Sequence, residues 1–315
     1  MSAGIVDVSA VLPDQRITND YFAGIGLTDE WIRRRTGIEA RRWFAPDLSL
    51  TIPAGQACQQ LVDRHPELTV GAVLVVTTSD RQLVPPLAPT VVTRAGLPES
   101  VMAFDMNAAC SGFIYSLATA VALCDSGQID SVIVCCAEAM SRLNDPTNRH
   151  SGVIFGDGVA AVLVTADDSF APATFEAGCS GERANMIYEL EPAGIYMDGA
   201  EVYNHAVRRM TQMGHEMAEQ DPAPTVFIPH QANGRILKTV GANLAATGIP
   251  MIKQIAEVGN TSSATIPLAL ALAAAAGELP AASGRLGLVA YGAGESWGGA
   301  TVGYRLPEAC LTPSS

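Results

Sequence analysis

Two apolar segments constrain the fold more than any other feature of this sequence. Ser111–Leu123 and Ala264–Ala276 each have the length of a short helix, and neither contains a charged residue. A helix that is apolar on all sides is buried on all sides. Both segments are too short to cross a bilayer, which needs about 20 residues. We therefore expect both helices to lie between sheets, inside a layered α/β sandwich.

The segments around these two helices follow one design. Each half of the chain contains a buried strand, a loop of small residues, the apolar helix, a second strand and a Gly-rich turn into a last strand. The first half has the order β-α-β-α-β-α-β-β, and the pattern becomes irregular from Asp167 to Pro192. We place the boundary near residue 168, which predicts two related halves at 1–168 and 169–315.

Composition excludes several classes of function. The net charge of −13 argues against nucleic-acid binding and against attraction to an anionic membrane. The seven cysteines are odd in number and form no C-x-x-C or Cys/His metal pattern, so we expect reduced thiols, no metal and a cytoplasmic protein. The N-terminus lacks the basic and apolar regions of a signal peptide.

Cys110 is the first candidate for chemistry. It lies between a predicted buried strand, Val101–Met106, and the first apolar helix. Free backbone N–H groups and the helix dipole at such a position favour the thiolate, which is the nucleophilic form. The alternative is a small buried residue, as most free cysteines are. This stretch alone does not decide between the two.

Two further loops place polar residues directly after predicted elements. His230 follows the strand Thr225–Pro229, and Asn260 precedes the second apolar helix. If a pseudo-twofold axis relates the halves, these loops meet Cys110, where imidazole can activate the thiol and His and Asn N–H groups can hold an oxyanion. The Gly292–Gly294 turn offers N–H groups for a second oxyanion. Singly, His230 could be a core histidine and Asn260 a helix cap; together they favour a catalytic site.

With these residues the chain resembles the thiolase-fold condensing enzymes, in particular β-ketoacyl-acyl-carrier-protein synthase III (ketosynthase III) and its relatives in polyketide pathways. The resemblance covers nearly the whole chain. It implies a homodimer of five-layer α-β-α-β-α sandwiches, each built from two pseudo-duplicated halves. The nucleophilic cysteine lies in 1–168, and the catalytic His and Asn lie in 169–315. The resemblance rests on five motifs that occur in the family's order and spacing. They are Asp29-Glu30-Trp31-Ile32-x-x-Arg35-Thr36-Gly37-Ile38, Ala108-Ala109-Cys110-Ser111-Gly112-Phe113, Phe155-Gly156-Asp157-Gly158, His230-Gln231-Ala232-Asn233 and Gly259-Asn260-Thr261-Ser262.

The resemblance also implies roles for individual residues. Cys110 accepts an acyl group from a thioester, and the N–H groups of Cys110 and Ala293 form one oxyanion hole. His230 and Asn260 promote decarboxylation of a malonyl-type extender, whose carbanion attacks the acyl-cysteine. The implied task is priming of specialised polyketide or fatty-acid biosynthesis.

Substrate contacts follow from the same resemblance. Acyl-CoA or acyl-carrier-protein thioesters are the implied substrates, without a cofactor. Trp31 and Arg149 match positions that sandwich the adenine of coenzyme A, and Arg35 matches a contact near the phosphates. Val84 stands where several relatives place Phe at the bottom of the acyl pocket, across the dimer. The smaller side chain suggests a longer or branched acyl chain.

The sequence departs from the family at several positions. Ala242, Asn243 and Asn204 stand where relatives from fatty-acid synthesis carry basic residues, whereas Arg235 remains. The change weakens docking of an acidic acyl carrier protein. Glu295 is unusual in a turn that commonly carries apolar residues, and it could place a carboxylate near the mouth of the site.

Three alternatives remain beside condensation. The acyl group on Cys110 could pass to a hydroxyl or an amine, but Asn260 favours the decarboxylative reaction. A silent partner subunit usually lacks the cysteine. A papain-like protease also has Cys, His and Asn in this order, but the buried helix after Cys110 and the duplicated α/β pattern disfavour it.

Overall fold

The structure is a computed structural model that describes residues 2–80, 82–149, 151–190 and 194–307. Within these ranges the chain forms thirteen strands and eight α-helices. The strands are β1 (Ser2–Val11), β2 (Gln15–Thr18), β3 (Ala40–Trp43), β4 (Val70–Val76), β5 (Met102–Met106), β6 (Ser131–Ala139), β7 (Asp157–Asp167), β8 (Thr174–Gly178), β9 (Ile187–Leu190), β10 (Gly194–Met197), β11 (Val226–Pro229), β12 (Ser283–Gly292) and β13 (Ser296–Arg305). The helices are α1 (Asp29–Thr36), α2 (Thr51–Arg64), α3 (Ala88–Arg94), α4 (Gly112–Asp125), α5 (Gly199–Ala218), α6 (Gly234–Leu244), α7 (Ile255–Val258) and α8 (Thr265–Ala275).

The nine main strands are hydrogen-bonded in one continuous set, which we divide at the single residue pairing between β1 and β13 into two sheets with the same order. The N-terminal sheet runs β5-β4-β6-β7-β1, and the C-terminal sheet runs β11-β12-β13-β8. An isolated parallel bridge joins Met251 to Phe227 of β11. Met251 thus occupies the position in the C-terminal sheet that β5 occupies in the N-terminal sheet. The sheets meet through one parallel pairing, Ile5 with Tyr304. The division at residue 168, between β7 and β8, remains our interpretation of this repeated order.

The two apolar helices lie where the sequence predicts them. α4 and α8 share one apolar cluster with the facing sides of both sheets, and α8 residues such as Leu268 and Leu270 are at most 1% exposed. Each such leucine contributes roughly 1.5–3 kcal/mol through burial. The outer faces of the sheets are covered by α2 and α3 on one side and by α5 and α6 on the other. The predicted five-layer α-β-α-β-α sandwich is therefore confirmed.

Two local predictions are wrong, and both concern sheet edges. The segment from Asp167 was predicted to be irregular, but it contains β8, which pairs with β13 and whose five residues are all partly or largely exposed. β5 was predicted to be buried, but it is an edge strand in which Met102 is 41% exposed. Edge strands have neighbours on one side only, so their burial pattern is weak or misleading in sequence.

Three further sequence expectations concern covalent, metal and membrane features. The six cysteines in the described part of the chain are free thiols, and Cys310 lies outside it. The same part contains no cluster of three or more His, Cys, Asp or Glu that could hold a metal ion. None of its helices has both the length and the apolar character needed to span a membrane.

Candidate active site

Cys110 lies in a single 3₁₀ turn, Ala109–Ser111, which leads directly into α4. Ala109 has a positive φ of 46°, which turns the chain out of β5 and presents the cysteine to the interior. Gly292 closes against it so tightly that an added Cβ would lie 2.6 Å from the Cys110 Cβ. The sulfur therefore sits between the entry to α4 and the end of β12.

The N–H groups at the helix entry favour the thiolate as expected, but burial has the larger effect on the pKa of Cys110. Burial raises the pKa of Cys110 to about 12 and outweighs the hydrogen bond from Ser262, and the charge of Glu138 raises it further. The N–H groups of Ala293 and of Cys110 itself also face the sulfur and lower the pKa in part. Desolvation exceeds these donors because the thiolate would lose its hydration. The thiol is therefore protonated at neutral pH and needs a base.

His230 lines the same cavity as Cys110 and is the candidate base. It directly follows β11, its backbone N–H donates to the Val289 carbonyl at 2.8 Å, and it is 1% exposed. Burial lowers its pKa to about 3, so the imidazole is neutral at neutral pH. Its Nδ1 lies 2.6 Å from Thr265 Oγ1, at the start of α8. When that hydroxyl donates to Nδ1, the ring proton is on Nε2. The sequence did not single out Thr265, because it is the first residue of an otherwise apolar helix.

Asn260 is held by backbone on both sides. Its N–H donates to the Ile154 carbonyl at 2.9 Å, and its own carbonyl accepts from the Gly156 N–H at 3.0 Å. Gly156 has no room for a side chain, because a Cβ would lie 2.1 Å from the Val258 carbonyl oxygen. Asn260 Oδ1 accepts from the Ser262 N–H at 2.9 Å. Because the oxygen is engaged, Nδ2 is the end that can donate to a ligand.

One cavity of about 810 Å³ connects the predicted residues. Arg35 stacks over the Trp31 ring at 4.7 Å, and Arg235 lies 5.6 Å over the Tyr203 ring. The lining thus combines a thiol, a buried imidazole and a buried amide with aromatic and cationic groups. Its members include Cys110, His230, Asn260, Trp31, Arg35, Arg149 and Arg235.

Two predicted residues lie elsewhere. Val84 does not line the cavity of its own chain; it is 86% exposed, beside Leu83 at 85%. Its contribution to a partner's acyl pocket stays a prediction. Glu295 does not line the cavity either, and its side chain is buried against Arg183 and His205. The suggestion that Glu295 places a carboxylate at the mouth of the site is therefore wrong, because an ion pair with Arg183 keeps its side chain buried.

Glu138 is a buried residue near Cys110 that the sequence reasoning missed. Its carboxylate accepts from Ser79 Oγ at 2.7 Å and from Ser263 Oγ at 2.6 Å, and so joins the two halves. Burial raises its pKa. A single acidic residue in the otherwise apolar strand β6 was the available signal.

The comparisons with known proteins agree with this geometry. The model for 3-oxoacyl-[acyl-carrier-protein] synthase III matches residues 104–181, and the model for its C-terminal part matches 221–304. A beta-ketoacyl-[acyl-carrier-protein] synthase III of Streptomyces coelicolor is 37% identical, with 95% of this chain and 93% of the relative covered.

Solved structures give the same result. The 3-oxoacyl-(acyl carrier protein) synthase III of Pseudomonas aeruginosa has a TM-score of 0.88 and 31% identity, with 97% of this chain and 99% of that chain covered. The priming beta-ketosynthase of the R1128 polyketide pathway also has a TM-score of 0.88, with 27% identity and 96% of both chains covered. The chain belongs to the 3-oxoacyl-[acyl-carrier-protein] synthase III family of acyltransferase-type condensing enzymes.

Proposed function

We propose that the protein loads an acyl group on Cys110 and condenses it decarboxylatively with a malonyl-type thioester, in fatty-acid or polyketide biosynthesis. One observation carries the proposal: the lining of a single cavity combines the thiol, the neutral imidazole and the amide with Trp31 and three arginines. The thiol, imidazole and amide suit bond making and breaking, and the arginines suit a phosphate-bearing carrier.

Loading begins with a protonated thiol. Loading needs the tautomer in which Nδ1–H donates to Thr265 Oγ1, so that the lone pair on Nε2 of neutral His230 takes the Cys110 proton as the sulfur attacks the acyl thioester carbonyl. The N–H groups of Cys110 and Ala293 stabilise the negative oxygen of the tetrahedral intermediate. The C–S bond to the carrier then breaks, and its thiolate leaves with the proton that His230 held.

Condensation uses the other set of donors. The carboxylate–carbon bond of the malonyl group breaks and releases CO2, and the electron pair forms an enolate. Its oxygen is stabilised by the Nε2–H of His230 and the Nδ2–H of Asn260. The α-carbon attacks the acyl-cysteine, a C–C bond forms, and the thiolate of Cys110 leaves and takes a proton from solvent. This role needs the other His230 tautomer, in which Thr265 Oγ1 donates to Nδ1 and the ring proton is on Nε2, so the ring exchanges its proton between the two steps.

The partners are proposed on the same basis. Trp31, Arg35 and Arg149 support binding of coenzyme A, and Arg235 at the first turn of α6 supports a contact with coenzyme A or an acyl carrier protein. We also propose a homodimer, which is supported by the exposed apolar side chains of Leu83 and Val84 and by the edge strand β5.

Two measurements on one preparation test the reaction. Intact-protein mass spectrometry after exposure to a panel of acyl-CoA thioesters is expected to show one acyl group, mapped to Cys110. Addition of a malonyl thioester is expected to release CO2 and give a β-keto product. An ester or amide product without CO2 release would instead establish transfer to oxygen or nitrogen.

A further inference from the structure

Glu295 departs from the family pattern, and the proposed reaction gives it no role. It follows Ala293 by two residues, in the turn between β12 and β13. Its φ is +42°, a left-handed conformation that a residue with a side chain rarely adopts. Such a conformation persists only where surrounding contacts enforce it. The contacts of Glu295 therefore bear directly on the shape of the turn that presents the Ala293 N–H.

The side chain of Glu295 is 0% exposed and lies between Arg183 and His205. Arg183 Nε contacts Oε2, and His205 Nδ1 lies 3.0 Å from Oε1. Burial of the Glu295 carboxyl raises its pKa, but the hydrogen bond and charge of Arg183 hold that pKa below its usual value. The group is thus a carboxylate at neutral pH. Its backbone carbonyl also accepts from the Ser180 N–H at 3.2 Å.

Both partners belong to segments that form the wall of the cavity. Arg183 lies in the turn before β9, and Ile187 at the start of β9 lines the cavity. His205 lies on α5 between Asn204 and Ala206, which both line it. One buried carboxylate therefore fastens three segments: the Ala293 turn, the segment before β9 and α5.

We propose that Glu295 is a positioning residue that keeps the Ala293 N–H directed at the acyl group on Cys110. The inference rests on the proposed function, because it assigns the Ala293 N–H to the acyl thioester. The enolate is stabilised separately, by His230 and Asn260. Loss of the Glu295 contacts should therefore slow loading and condensation and spare decarboxylation.

The test measures the two half-reactions separately in Glu295→Gln. The expected result is a fall of about tenfold to a hundredfold in the rate constant for acylation of Cys110, because one oxyanion donor is displaced rather than removed. The KM for the acyl thioester should change less than this rate constant. Decarboxylation of malonyl thioester without an acyl primer should stay within about twofold of the wild-type rate. Equal losses in both half-reactions, or no loss in acylation, would overturn the proposal.

Two further variants separate the carboxylate from the backbone and from folding. Glu295→Gly permits the positive φ without the carboxylate, so a defect that persists in it assigns the effect to the contacts. Arg183→Ala should reproduce the defect, and its combination with Glu295→Gln should add little. Asp167→Asn is the matched control, since it removes a carboxylate paired with Arg305 far from the site. If the wild type shows neither acylation nor decarboxylation, the proposed function itself fails. If the wild type is active and Glu295→Gln slows both steps equally, only the role proposed for Glu295 fails.

Discussion

The two turns that enter the central helices have the same backbone design and different chemistry. In the N-terminal half, Asn107 Oδ1 accepts the N–H of Ala109 at 3.1 Å, and Ala109 has a φ of 46°. In the C-terminal half, Asn260 Oδ1 accepts the N–H of Ser262 at 2.9 Å, and Ser262 has a φ of 52°. Each is an Asx turn followed by a left-handed residue, a 3₁₀ turn and a buried helix.

At each pair of matching positions, the side chain from only one half lines the cavity, and the half that supplies it differs between the two pairs. Asn107 is exposed, whereas its counterpart Asn260 is 6% exposed and lines the cavity. Cys110 follows the left-handed residue in one half and lines the cavity, whereas Ser263 follows it in the other and bonds to Glu138 at 2.6 Å. In the proposed reaction, the repeated backbone design delivers a nucleophile from one half and an enolate donor from the other.

The largest expected effect comes from removing the nucleophile. Cys110→Ala should lower acyl loading to background, a loss of about a thousandfold or more. It should leave malonyl decarboxylation measurable, because His230 and Asn260 belong to the other donor set. Intact-mass acylation and CO2 release measure the two steps. Product formation by this variant at the wild-type rate would show that the nucleophile lies elsewhere.

The pH dependence of Cys110 reactivity tests the raised pKa. Because the pKa of the thiol is about 12 and that of His230 about 3, the neutral pair dominates at neutral pH. The thiolate fraction, and with it the rate of alkylation by iodoacetamide, should rise about tenfold per pH unit between about pH 6 and 9. Peptide mass spectrometry separates Cys110 from the exposed Cys179. If the alkylation rate instead reaches a plateau near neutral pH, Cys110 is already a thiolate there, as its position at the helix start alone predicts.

The fold and the grouping of the site residues could be predicted from the sequence, whereas the pKa of Cys110 and the contacts of Glu295 could not. The apolar helices and the strand–loop–helix order were sufficient to predict the sandwich and to bring Cys110, His230 and Asn260 together, because burial depends on pattern. The direction of the Cys110 pKa was not predictable, since it depends on how completely three-dimensional packing removes water from the sulfur. The contacts of Glu295 connect segments more than 85 residues apart, and nothing local in the sequence indicates them.

Asn260→Ala should affect the opposite half-reaction. It removes one of the two enolate donors, so the rate of decarboxylation should fall about a hundredfold to a thousandfold while loading of Cys110 changes little. Asn107→Ala is the matched control, because it removes the corresponding Asx-turn side chain from the other half. If both variants lose decarboxylation equally, the loss reflects the turn geometry and not the donor.

The smallest expected effect concerns the position that corresponds to Cys110 in the C-terminal half. Ser263→Cys places a thiol after the same left-handed residue, at a site that is 1% exposed and beside the Glu138 carboxylate. Burial and a neighbouring negative charge both disfavour a thiolate there. Peptide mapping after acyl-CoA treatment should therefore show no acylation at position 263, in the single variant or combined with Cys110→Ala. Acylation at that position would mean that the backbone turn alone creates a nucleophile. Its absence, with normal labelling of Cys110 in the single variant, would assign reactivity to the cavity and its neutral imidazole.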